Sequence, residues 1–319
     1  MPGDEPNDVG EAMLNAVRGG GLLPPDGRVV ALLSGGRDSV CLVDLAVRLL
    51  GAGEVTALHV NYGLRDDSDA DEEHCAALCE RLGVRLAAER PRRPEGPGNL
   101  QAWARDTRYA AAAGLAEGAG ARIATGHTAD DQVETILYRL ASSPSRRALL
   151  GMRPEDGRLV RPLLRFTRAE TTEYCEQRGL GWRDDPSNDE GAYARNRVRH
   201  GLAAALAEVH PAAAQNVLRT ADLLRDEAEV LDELVGAELD ASDGSRRNTI
   251  ELERLAALPP ALRRLVVQRL ADRAAGRPVP GAANHADQVA ALRRTGSAML
   301  DLGGGVRAIA ERGTLRAER

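Results

Sequence analysis

The chain contains no lysine: all 42 of its basic side chains are arginine. That excludes a Walker A loop, which needs G-x-x-x-x-G-K-[ST], and any mechanism built on a Schiff-base or general-base lysine. Beside abundant alanine, arginine and glycine, the absence is most simply a GC-rich coding bias and carries no mechanism. Cysteine is also scarce. Cys41, Cys75, Cys79 and Cys175 form no C-x-x-C pair, so reduced thiols in a cytoplasmic protein are the expectation. Aromatic residues are 3% of the sequence, too few for base stacking on an aromatic platform to be the main binding mode. No stretch approaches the roughly 18 apolar residues that cross a bilayer. The start, Met1-Pro2-Gly3-Asp4-Glu5, is acidic rather than signal-like, so no membrane contact is expected. A net charge of −6 argues against a uniformly basic surface, and any RNA contact must come from local arginine clusters.

What is present is enough for two domains. The 319 residues are 43% hydrophobic and 28% charged, in the range of soluble globular proteins with sizeable cores. Residues 1–27 read as a tail and a short helix over Val9–Val17. Residues 28–210 alternate strand and helix: strands near 28–33, 54–60, 84–88 and 121–125, helices over 69–82 and 99–116. This predicts an α/β domain with a doubly wound parallel sheet and a ligand at the carboxyl ends of its strands. From about residue 211 the texture becomes helical, over 211–240 and 260–274, and ends in a glycine-linked hairpin over 298–310. That predicts a smaller, mainly helical α+β domain over 211–319. No internal repeat or low-complexity segment interrupts the chain, and a homodimer is left open.

Arg28-Val29-Val30-Ala31-Leu32-Leu33 is an apolar run of strand length that ends in Ser34-Gly35-Gly36-Arg37-Asp38-Ser39. Val40, Val43, Val47 and Leu50 then step as one face of an amphipathic helix. Strand, glycine turn and helix together aim free backbone N–H groups and a positive dipole end at an anion. Ser34 and Ser39 add hydroxyls. Asp38 beside phosphates is repulsive unless a divalent cation lies between them, so the turn reads as a site for a nucleotide polyphosphate with magnesium. The plainer alternative is an ordinary βα turn with Ser34 capping the helix.

Two further constellations fall beyond this turn. Gly126-His127-Thr128-Ala129-Asp130-Asp131-Gln132-Val133-Glu134 follows the fourth strand, with His127, Asp131 and Glu134 on one helical face. Acids in a first turn are explained by capping alone; the whole cluster fits metal coordination and acid–base work better. On the helix after Asn99, Arg105 and Arg108 share one side, where they either face solvent or grip phosphate. Tyr193-Ala194-Arg195-Asn196-Arg197-Val198-Arg199-His200 is a basic run, solvated or aimed at RNA phosphate.

Ser-Gly-Gly-Arg-Asp-Ser resembles the pyrophosphate loop of the N-type ATP pyrophosphatases, which cleave ATP between its α and β phosphates and adenylate a substrate. Together with His59–Arg65, the Asn99–Tyr109 helix, Gly126–Thr135, Arg161-Pro162-Leu163-Leu164 and Asp185–His200, it is similar to the tRNA(Ile)-lysidine synthetase family. That resemblance implies ATP and Mg2+, free L-lysine, and a tRNA(Ile) with a CAU anticodon whose wobble cytidine is modified. It implies that Ser34, Gly35, Gly36, Arg37, Asp38 and Ser39 hold the pyrophosphate and that Asp38 and Asp131 organise magnesium. It further places His127 on the phosphates or the activated base, Arg105 near the transferring phosphate and Glu134 near lysine. Arg108, Arg195, Asn196 and Arg199 are implied as contacts for tRNA or phosphate. Tyr62 and Thr128 stand where members commonly carry histidine, and Ala141–Ser145 replaces a glycine-richer loop. The competing readings are a tRNA thiolase of the same fold, which generally carries C-x-x-C pairs, and a non-catalytic ATP-binding module.

Overall fold

Strand β1 (Val29–Leu32) is buried along its whole length, and its alternating side chains feed two cores. Val29 and Ala31 join one hydrophobic cluster, Val30 and Leu32 another on the opposite face. A continuous apolar strand with no polar face is what a central parallel strand requires. The computed structural model describes residues 8–64, 66–94, 99–142, 146–183, 194–240, 248–293 and 295–319. It divides into two compact units, Met1–Ala221 and Asp222–Arg319.

In the first unit the order after α1 (Val9–Gly19) and β1 is α2 (Arg37–Leu50), β2 (Val55–Val60), α3 (Ser68–Leu82), β3 (Arg85–Glu89), α4 (Leu100–Ala119), β4 (Arg122–Ala124) and α5 (Ala129–Ser142). A short α6 (Arg146–Leu149), the strands β5 (Glu155–Asp156) and β6 (Leu159–Val160), and α7 (Arg168–Gln177) follow. The sheet order is β3-β2-β1-β4-β6-β5, parallel except for the β5–β6 edge. The chain winds outward from β1 through β2 to β3 and then returns to the other side of β1 as β4. The winding therefore reverses between β1 and β4, and the crevice outside their carboxyl ends is the topological switch point. The glycine turn leaves β1 there, and Gly126–His127 leaves β4 beside it.

Two features of the first unit depart from the sequence expectation. The β5–β6 pair was not foreseen: each strand has two residues, too short to carry a periodic signal, and neighbouring β4 completes the pairing. Helix α2 buries more than a stripe, since Ser39 through Ala46 are all buried. Helices α1 and α7 pack over its second side, so even Asp44, 1% exposed, lies inside. It is held by the Tyr174 hydroxyl at 2.5 Å and by Arg178, as a buried carboxylate must be. Each fully buried leucine here, such as Leu42 or Leu45, contributes about 2 kcal/mol of apolar burial.

After α7 the described chain resumes with α8 (Ala194–Arg197), a π-helical turn Val198–Ala203, α9 (Ala204–Val209) and α10 (Ala213–Asp240). The Asp184–Tyr193 part of the basic loop lies outside the described residues, as do residues 143–145 of the Ala141–Ser145 departure. The second unit holds β7 (Thr249–Glu251), α11 (Leu252–Ala257), α12 (Pro260–Ala275), α13 (Ala286–Ala290), β8 (Ser297–Gly303), β9 (Val306–Glu311) and β10 (Thr314–Glu318). Its antiparallel sheet, ordered β7-β10-β9-β8, shares one core with α12 and its neighbours. The glycine-linked hairpin is β8–β9; β10 and β7 extend it into a four-stranded sheet beyond the hairpin expected from the sequence.

Candidate active site

The loop after β1 folds on its own hydroxyls. Ser39 Oγ donates to the Gly36 carbonyl at 2.7 Å and accepts the Ser34 N–H at 3.1 Å, while the Gly36 N–H points to Ser34 Oγ at 3.4 Å. Gly35 has φ of +86°, a backbone only glycine adopts without strain. Helix α2 starts at an N-cap that is Gly36, with no side-chain cap. Ser34 is therefore not the helix cap of the plainer alternative, and among the described residues no side chain caps the positive end of α2, a place that favours an anion.

Asp38 stands in the first turn of α2. Its Oδ1 accepts the Thr171 hydroxyl at 2.6 Å, and its Oδ2 lies 4.0 Å from the Arg168 guanidinium. Burial pushes the Asp38 carboxyl up. Thr171, Arg37 and Arg168 pull it down, and the nearby charge of Asp131 adds to the push, leaving the pKa above its ordinary value.

The loop after β4 sits directly on this turn. A Cβ on Gly126 would lie 2.9 Å from the Asp38 carbonyl oxygen and 3.0 Å from its carbon. Gly126→Ala is thus expected to push the two loops apart, costing about 2 kcal/mol and lowering the melting temperature. An unchanged melting curve would show that the loops do not touch.

On α5, Asp131 and Glu134 are buried, at 7% and 3% exposure, one turn apart. Asp131 Oδ2 accepts the Thr128 N–H at 2.9 Å, so capping accounts for one of its oxygens. The other oxygen is 2.5 Å from Arg168 Nη2. Glu134 Oε1 receives Arg168 Nη1 at 3.0 Å and Arg199 Nε at 2.9 Å. Val198 packs on Val133 and Leu137, which brings the π-helical turn against α5 and Arg199 onto Glu134. Asp130 reaches elsewhere, its Oδ2 accepting the Arg168 backbone N–H at 2.8 Å. His127 is oriented through Nδ1 by the Thr125 hydroxyl at 2.7 Å.

Arg168 was not among the residues expected from the sequence, and it joins three carboxylates. Burial works against its cation, but Asp131, Glu134 and Asp130 outweigh that and hold its pKa above the ordinary value. A signal was available. Arg168 is the first residue of α7, next to a Thr167–Glu170 capping box, and a cation there opposes the helix dipole. Such a placement calls for acidic partners.

Arg105 and Arg108 sit on α4, their guanidinium carbons 4.9 and 5.7 Å from the Tyr109 ring centroid in cation–π range. Arg161 lies near Arg105 and Tyr109: burial lowers its pKa, Tyr109 and Asp156 pull it back up, and the charges of Arg105 and Arg139 help to keep it below the ordinary value. Tyr62 donates to the Ala104 carbonyl at 2.7 Å and meets Trp103 edge-on, so its side chain anchors α4. Thr128 is fully buried. Arg195 and Asn196 fall on α8, and the Arg195 side chain lies outside the described residues.

Known proteins resemble this chain in sequence and fold. The PP-loop domain family matches residues 13–206. The tRNA(Ile)-lysidine synthase of Leifsonia xyli subsp. xyli is 38% identical over 255 residues, covering 77% of this chain and 76% of the relative. The chain belongs to the tRNA(Ile)-lysidine synthase family. Its lysidine synthase relatives include one from Solibacter usitatus, 38% identical over 78% of this chain, and one from Thermus thermophilus, 38% identical over 81%. The chain spans 57% and 51% of those two relatives' lengths, about half. Among solved structures, the U34-tRNA thiolase NcsA of Methanococcus maripaludis, which carries a [4Fe-4S] cluster, aligns with a TM-score of 0.57 at 17% identity. It covers 68% of this chain and 79% of that one, a likeness of fold. Among the described residues no helix of this family member is long and apolar enough to cross a membrane.

Proposed function

We propose that the chain joins free lysine to the wobble cytidine of a tRNA(Ile) with a CAU anticodon, using ATP as the activating substrate. The observation that carries this reading is the meeting of a glycine phosphate loop with Asp38, Asp131, Glu134 and Arg168 at the β1/β4 crevice. It occurs in a chain 36–38% identical to lysidine synthases.

Two steps follow. The cytosine C2 carbonyl oxygen attacks the α-phosphorus, the bond to the β,γ-diphosphate breaks, and pyrophosphate leaves an adenylated base. The positive end of α2 and the Ser34–Ser39 loop cradle the departing charge, and the arginines add fixed positive charge. The ε-amine of lysine then attacks C2 and AMP departs. The amine reacts only when uncharged, so a neighbouring group must take its proton. His127, oriented by Thr125, and Glu134 are the two candidates.

Magnesium fits the donors. Mg2+ is usually held by one or two carboxylates, with phosphate oxygens and water completing the shell. Asp38 and Asp131 supply two oxygen donors whose mutual repulsion a cation relieves. No group of three or more His, Cys, Asp or Glu among the described residues forms an all-protein cage. Asp38 and Asp131 would hold the ion, which when bound neutralises phosphate charge and polarises the α-phosphorus.

The test is incorporation of labelled lysine, with ATP and magnesium, into an isoleucine tRNA transcript bearing CAU, against a methionine tRNA with the same anticodon. Label on the isoleucine tRNA alone, with one pyrophosphate released per lysine, is the expected result. Pyrophosphate release driven by a different RNA without lysine uptake would overturn the acceptor, and no pyrophosphate with any RNA would overturn the enzymatic reading.

A further inference from the structure

Helix α7 carries two threonines side by side at the point where it meets the acidic cluster, and they behave differently. Thr172 Oγ1 donates to the Arg168 carbonyl one turn back at 2.7 Å, the ordinary fate of a helical threonine. Thr171 has the same carbonyl within 3.1 Å, yet its hydroxyl lies closer to a partner on another helix, 2.6 Å from Asp38 Oδ1. A hydroxyl has one proton to give, and the shorter contact to an acidic acceptor takes it. Thr171 is 0% exposed, so water cannot substitute for it. Three residues earlier, Arg168 lies 4.0 Å from Asp38 Oδ2, the carboxylate's other oxygen. The first turn of α7 therefore holds one oxygen of the Asp38 carboxylate with a hydroxyl and turns a cation toward the other, while Arg37 Nε stands 3.5 Å from the hydroxyl-bound oxygen.

We propose that Thr171 is a positioning residue for Asp38: its hydroxyl locks the carboxylate rotamer so that Oδ2 is presented to the phosphate–cation side of the crevice. The proposal rests on the reading of Asp38 as the residue that meets Mg-ATP. The bland reading is that Thr171 only ties α7 to α2. The two differ in what a substitution moves, because a structural tie alters stability and all ligands alike, whereas a positioning bond alters the magnesium-dependent part of ATP binding.

The experiment is calorimetric titration of the full chain with ATP, in magnesium and again in EDTA, with pyrophosphate release measured in parallel. Thr171→Val, which keeps the shape and removes the hydroxyl, is expected to lose about ten- to a hundredfold of the magnesium-dependent gain in ATP affinity. Binding in EDTA should be unchanged. kcat for pyrophosphate release should fall with the KM for tRNA unmoved. Thr171→Ser restores the hydroxyl and should recover the gain, and Thr172→Val should leave it intact. Combined with Asp38→Asn, Thr171→Val should add nothing further, since both act through one carboxylate. If Thr171→Val does not fold, the Ser and Ala variants at Thr171 make the same comparison. A magnesium gain equal to that of the wild type in the hydroxyl-less variant overturns the proposal, as does a wild type that gains nothing from magnesium. A chain that fails to incorporate lysine but shows the Thr171-dependent gain would overturn the lysidine reading and leave this one standing.

Discussion

Asp38→Asn is expected to abolish pyrophosphate release, by a factor on the order of 10³ or more, while leaving the fold intact. Asparagine has the same shape, and its amide oxygen can still accept the Thr171 hydroxyl that now sits 2.6 Å from Oδ1. The stability change should be small because two effects oppose. An acid in the first turn of α2 gains roughly 0.3–1 kcal/mol from the helix dipole, which the variant forfeits. Burial already penalises the ionised carboxyl, as its raised pKa records, and a neutral amide escapes that penalty. What the variant cannot do is offer negative charge to a cation shared with the phosphates. A melting curve within a few degrees of the wild type, with no detectable pyrophosphate, is the expected pair of results. Turnover comparable to the wild type would remove Asp38 from the chemistry and the magnesium assignment with it.

How far the sequence could be read depended on the range of each interaction. The β1 turn was legible because its logic is local: six consecutive residues carry the glycine at φ +86°, the hydroxyls and the acid. The alternation that set the parallel sheet was also local to each segment. The single buried face expected of α2 was too narrow, since periodicity in one helix does not show that α7 and α1 will cover its second side. Arg168 and Thr171 were missed for the same reason carried further. Their partners Glu134 and Asp38 are 34 and 133 residues away, and no spacing rule joins a helix start to acids on two other helices. Arg199 could be seen as part of a basic run, but its pairing with Glu134 depends on Val198 packing against α5.

Arg168→Met is expected to destabilise the chain more than Asp38→Asn or Gly126→Ala and also to silence the site. The guanidinium spans Asp131 at 2.5 Å and Glu134 at 3.0 Å. The side chains are 19%, 10% and 4% exposed for Arg168, Asp131 and Glu134. Removing one partner from a buried ionic cluster strands the others, which costs about 3–5 kcal/mol. Arg199 remains on Glu134, so the lower end applies, roughly 3 kcal/mol. For a unit of this size that is a fall in melting temperature of about 6–12 °C. The companion variant separates charge from chemistry. Adding Asp131→Asn to Arg168→Met takes away the carboxylate that Arg168 approaches most closely and should recover part of the lost stability, yet activity should stay absent because the acid is gone too. Arg168→Lys tests the fork: an ammonium keeps the charge but cannot reach both carboxylates with a planar pair of N–H groups, so its stability should fall between those of the wild type and Arg168→Met. A melting temperature for Arg168→Met equal to that of the wild type would mean that the three carboxylates do not depend on this cation. Helix α7 would then have no electrostatic reason to begin with an arginine against its own dipole.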